Sequence, residues 1–181
     1  MNIKRTIVGL GAALLIGLAC VGAGFIAWGV LVSWMWTAGD IPHKSDEELI
    51  ANFQTHEAEF NQLLQMVMTD RLLHRVDDNW TDPQDPKTIS ISDERIAAYR
   101  KMFRSLTIPR GFSANQDIGV VQFISSAQGL SVSGSSKSYV WLRNAPSGLV
   151  DNIDTYRNTP GASYPVYRHI TGNWYLEFDA D

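Results

Sequence analysis

Cysteine is nearly missing from this chain. Cys20 is the only one in 181 residues, and it lies inside an apolar run. The remainder can therefore form no disulfide of its own, and its stability must come from burial and hydrogen bonding. Positive charge is also scarce. Of 15 Lys and Arg residues, Lys4 and Arg5 precede the apolar run, which leaves 15 − 2 = 13 against 19 acidic residues after position 39. That segment stands at 13 − 19 = −6, the wrong sign for a nucleic-acid footprint, so no nucleic-acid partner is expected.

Catalytic and metal signatures are missing too. The run from Gly129 to Lys137 resembles a phosphate loop, but Ser135 stands where a Walker lysine must follow the second glycine, and the surroundings read as strand. A Ser-x-x-Lys nucleophile fails because Gly134 lies three residues before Lys137, and there is no Gly-x-Ser-x-Gly elbow. His56 and His74 read as lying on one helix, about 27 Å apart, too far to share a metal. The acidic loop with Asp77, Asp78, Asp82 and Asp85 lacks the central glycine and terminal glutamate of a calcium loop. Neither a metal nor a cofactor is expected.

What is present first is a stretch without charge. Ile7 to Trp36 spans 36 − 7 + 1 = 30 residues with no Asp, Glu, Lys or Arg. As a helix it runs about 45 Å, more than the roughly 30 Å of a bilayer core. Lys4 and Arg5 before it, and Asp40, Asp46, Glu47 and Glu48 after it, place residues 1–6 in the cytoplasm and carry the chain across. Trp28, Trp34 and Trp36 suit the headgroup boundary. Cleavage after Gly17-Leu18-Ala19, or lipidation of Cys20 behind Leu18-Ala19, would leave an apolar run from Val21 to Trp36. An uncleaved anchor over 7–36 is the reading that these residues favour. Gly9, Ala13 and Gly17, like Ala19, Ala23 and Ala27, recur every four residues, a spacing that permits self-association of the anchor helix and is also common in membrane helices generally.

Residues 37–44 read as a linker and 45–181 as an exported domain. Ser45-Asp46-Glu47-Glu48 forms a capping box, and Leu49, Phe53, Phe60, Leu63, Leu64 and Val67 extend it as one amphipathic helix to about Arg75. Residues 76–87 read as a loop. Ser92 opens a second helix, with Ile96, Tyr99, Phe103 and Leu106 on its apolar side and Arg95, Arg100, Lys101 and Arg104 around it. That basic set is either a solvated face or a patch for membrane phosphates or an acidic partner.

Strands follow from Gly111. Ile118 to Ile124 reads as a strand covered on both faces, with a turn at Ala127-Gln128-Gly129. Val166, Arg168 and Ile170 share one side of a strand, which turns at Thr171-Gly172-Asn173. Trp174, Leu176 and Phe178 then form a buried side and Tyr175, Glu177 and Asp179 a wet one. The expected fold is α+β: a transmembrane helix, then a long and a second helix on an antiparallel sheet of about five strands, the helix lying across a curved sheet.

The residues with most functional character are Ser131, Ser133, Ser135, Ser136, Lys137 and Tyr139, together with Arg168 and His169. The serines read as the polar face of a strand, Lys137 as lying on a wet edge, and His169 as half-buried and hydrogen-bonded within the sheet. Together they are the candidate interaction surface.

The run Gly129-Leu-Ser-Val-Ser-Gly-Ser-Ser-Lys-Ser-Tyr139, with Tyr167-Arg-His-Ile-Thr-Gly-Asn-Trp-Tyr-Leu176, resembles an uncharacterised group of small bacterial membrane-anchored proteins. The resemblance covers most of the chain after the apolar stretch. It implies the bacterial inner membrane, with the C-terminal domain periplasmic, and implies no activity. Two functions follow as expectations. One is a tethered, non-enzymatic module binding a protein or envelope partner, with a toxin-neutralising immunity protein as one form. The other is a periplasmic hydrolase or small-ligand binder with its pocket between helices and sheet.

Overall fold

The computed structural model describes residues 42–130 and 133–180. The expected anchor, with Cys20, lies outside the described residues, as do Ser131 and the side chain of Ser133. Among the described residues no helix is long and apolar enough to cross a membrane.

The first helical stretch comes as two helices, α1 (Asp46–Thr55) and α2 (Glu57–Thr69), where the hydrophobic spacing predicts one. The break at His56 has a local cause. Thr55 Oγ1 donates to Ala51 O at 2.8 Å and His56 Nδ1 lies 3.0 Å from Asn52 O, so side chains compete for the carbonyls of that turn. Glu57 and Glu59 then supply favourable charge to a new N-terminus. His74 lies beyond both helices. The capping box at Ser45 forms as expected, with Glu48 N donating to Ser45 Oγ at 3.2 Å and Ser45 N to Glu48 Oε2 at 2.9 Å. Ser92 likewise caps α3 (Asp93–Ser105).

The sheet has seven antiparallel strands where the sequence suggests about five. They are β1 (Arg75–Val76), β2 (Thr81–Asp82), β3 (Phe112–Asn115), β4 (Val120–Leu130), β5 (Ser133–Leu142), β6 (Val166–Thr171) and β7 (Trp174–Ala180). Their order is β2-β1-β3-β4-β5-β7-β6. The two short strands β1 and β2 lie at the start of and within the acidic segment 76–87, too short for any periodicity to announce them. Ala127-Gln128-Gly129 is not a turn but the continuation of β4, paired with Ser136, Ser135 and Gly134 of β5. Ile118 is not in a strand; it is exposed in the preceding turn. A four-residue helical turn, α4 (Ile153–Tyr156), precedes β6.

Helices α1 to α3 cover one face of the sheet. Phe53 and Phe60 lie 5.1 and 6.0 Å from Trp174 by ring centroid, and Phe60 lies 4.6 Å from Tyr139. Trp174, Leu176 and Phe178 thus face the helices as their alternation requires. The other side of β7 is wet only at Asp179: Tyr175 and Glu177 are also buried, because β5 and β6 flank β7 and their side chains close over it.

Candidate functional site

Alternation along β5 settles which of its residues face the helices. Tyr139 is in the core, so Lys137 and Ser135, two and four residues earlier, share its side. Lys137 is therefore not on a wet edge; its side chain is fully buried. The chain ahead of α1 passes directly over it. Lys137 Nζ donates to Lys44 O at 2.9 Å and to Asp154 Oδ1 of α4 at 2.7 Å, and lies 2.7 Å from Asp46 Oδ1 at the first turn of α1. An ammonium has three protons, and three acceptors surround this one.

Asp46 is fully buried, and its Oδ1 has the ion-pair contact with Lys137 but no hydrogen-bond partner among the described residues. Its Oδ2 accepts from Ile153 N at 2.8 Å and from Arg168 Nη1 at 3.0 Å, while its own amide donates to Asp154 Oδ2 at 2.7 Å. Arg168 also donates to Glu47 Oε1 at 2.8 Å, and Arg157 approaches Asp154 at 3.9 Å. Three cations meet three carboxylates, as burial of charge demands. Burial raises the Asp154 pKa, but the hydrogen bonds from Lys137 and the Asp46 amide outweigh that and hold it below the usual range.

Beside this cluster lies His43. Its Nδ1 is 2.7 Å from Ser126 Oγ and its Nε2 2.8 Å from Ser135 Oγ, so a neutral ring donates to one hydroxyl and accepts from the other. An open cavity of about 470 Å³, lined by Ser135, Arg157, Asn158 and Tyr164, adjoins it. The arrangement has the outline of a serine nucleophile with its base. The electrostatics oppose that use. Burial, then Arg157 and Lys137, lowers the His43 pKa to about 4, and no carboxylate holds the second ring nitrogen. A base must accept the serine proton as imidazolium, the form that these cations disfavour.

The six residues of the expected surface whose side chains are described do not form one surface. Ser135, Lys137 and Tyr139 face the helices, and Tyr139 is held by Asn52 Nδ2 at 3.0 Å while donating to Leu49 O at 3.1 Å. Arg168 stands on the same side, half-buried in the charge cluster. Ser136 and His169 lie on the opposite face, and His169 is exposed, with Nε2 3.0 Å from Gly172 O. Also on that face is Glu177, which accepts from Gln122 Nε2 at 2.6 Å. Burial and then Asp179 raise its pKa to about 7. His43, Asp46 and Asp154 are the site residues that sequence reading misses. The available signal was the shared parity of Lys137 with Tyr139, which makes a buried lysine that requires carboxylate partners.

A second cavity, about 320 Å³, opens between α3, the turn after it and the segment ahead of α1, with mostly apolar walls. Among the described residues no group of three or more His, Cys, Asp or Glu is placed to hold a metal ion. No family model, curated protein or solved structure matches the chain at a significant level, so the geometry supplies the functional reading.

Proposed function

We propose that this chain is a bacterial, single-pass membrane-anchored protein whose exported α+β domain binds a protein or envelope component and performs no catalysis. The membrane reading rests on the uncharged stretch 7–36 and its flanking charges. The binding reading rests on one observation: Lys137 and His43 at the charged cluster already have internal hydrogen-bond partners, and Asp46 is fully buried in ion pairs with Lys137 and Arg168. Lys137 has three acceptors, Asp46 three neighbours and His43 two hydroxyls. A catalytic group must have a site left for the substrate.

A panel of chromogenic esters, phosphoesters, peptides and glycosides tests this with the full chain. No turnover above that of Ser135→Ala is expected. A rate that disappears in Ser135→Ala and His43→Ala would make the domain a hydrolase. The pocket-bearing alternative survives in one form, a small-ligand binder, because a cavity does lie between α3 and the sheet.

A further inference from the structure

The cavity between α3 and the sheet has a composition unlike the rest of this acidic domain. Phe103 and Ile108, both buried, supply apolar wall, and Lys44, Arg100 and Arg104 stand among its lining residues against a single acid, Asp78. Its lining is thus net +2 in a segment that is −6 overall. Arg100 uses its Nε on Asp77 O at 3.1 Å, and Arg104 has no side-chain partner among the described residues.

One wall is a β-bulge. The register between β4 and β5 shifts between Ile124 and Ser126, which leaves Ser125 as the extra residue. Ser125 is 3% exposed, lines the cavity, and its Oγ has no hydrogen-bond partner. A buried hydroxyl without a partner is uncommon in a finished core. Thr107, also in the wall, has φ +54°, a conformation that a β-branched residue rarely adopts. An apolar hole with a cationic set and an unsatisfied hydroxyl matches a molecule with an anionic head and an apolar tail.

We infer that this cavity binds the anionic headgroup and upper acyl chain of a phospholipid from the membrane in which the chain is anchored. The inference rests on the anchored reading proposed above. The lining includes Pro42, and the six residues from Trp36 to Pro42 reach at most about 20 Å. Covalent reach alone thus limits how far Pro42 can be from the end of the expected anchor, and anionic lipid at a membrane surface attracts each Lys or Arg. At about 320 Å³ the cavity is at the small end of ligand pockets, which suits part of a lipid rather than a whole one.

The test uses the full chain in phosphatidylcholine vesicles with a trace of photoactivatable phosphatidylglycerol or photoactivatable phosphatidylcholine, with labels mapped by mass spectrometry. The phosphatidylglycerol probe should label residues 100–109 preferentially. Arg104→Gln should lower that labelling about fivefold, and Arg100→Gln with Arg104→Gln about 25-fold, at roughly fivefold per charge. Arg71→Gln, exposed and away from the cavity, should leave it unchanged. Equal labelling by both probes, or full labelling of the double variant, would overturn the inference. Loss of labelling to millimolar inorganic phosphate would overturn it as well, by making this a free-phosphate site. Native mass spectrometry of the detergent-solubilised chain with dihexanoyl phosphatidylglycerol separates the two readings. A one-to-one adduct that the double variant loses supports the cavity even if alkaline washing strips the chain from vesicles and so refutes the anchor. Absence of that adduct counts against the cavity alone.

Discussion

Replacing Lys137 with methionine lowers the stability of the domain by about 3–5 kcal/mol, the usual cost of removing one partner from a buried ion pair. Methionine keeps the apolar stem but leaves Asp46, whose side chain is fully buried, without its nearest cation. The Lys44 carbonyl and Asp154 Oδ1 also lose the Lys137 donor, so the bonds that tie the segment ahead of α1 and the short helix α4 to this lysine of β5 go together. Thermal unfolding followed by near-UV circular dichroism measures the effect. Asp46→Asn added to Lys137→Met should recover part of the loss, because asparagine removes the stranded charge while keeping an acceptor for Ile153 N and Arg168. A loss below about 1 kcal/mol for Lys137→Met would mean that the lysine is solvated.

The second large effect comes from Trp174. Its ring lies 5.1 Å from Phe53, 6.0 Å from Phe60 and 5.8 Å from Phe123, so it joins α1, α2 and the central sheet. Its indole N–H donates to Asn61 Oδ1 at 3.1 Å, which satisfies the polar end of a buried side chain. Trp174→Ala should cost about 3–5 kcal/mol, a large part of the 5–15 that typically holds a domain. Trp174→Phe should cost clearly less, losing the hydrogen bond and part of the ring. An unchanged melt for Trp174→Ala would show that this side of β7 faces solvent.

The two residues mark what was legible in the sequence. Trp174 was readable because Trp174, Leu176 and Phe178 alternate without exception, and a period of two has only two possible faces. The capping box and the start of α3 were readable for a similar reason, since Ser45 and Ser92 are bonded within their own first turns. Lys137 reads as exposed because serines surround it, and composition there masks its parity with Tyr139. Its partners come from Asp46 and Asp154, which are 91 residues before it and 17 after it, and no spacing rule links such positions. The same holds for His43, which meets Ser126 and Ser135 only because the segment ahead of α1 lies against the sheet. Strands β1 and β2 escaped notice because two residues make no pattern. The break at His56 escaped because its cause is a side chain bonding to its own turn, not a glycine or proline.

These stability effects would hold in any compartment; the functional account depends on where the domain is displayed. The most direct measurement is labelling by a membrane-impermeant maleimide in intact bacterial cells. Cys20→Ser removes the only native thiol, and Leu149→Cys adds one at an exposed position of the domain. The account predicts that this variant is labelled in intact cells and stays with the membranes after alkaline washing. Labelling only after lysis, or release by the wash, would contradict it.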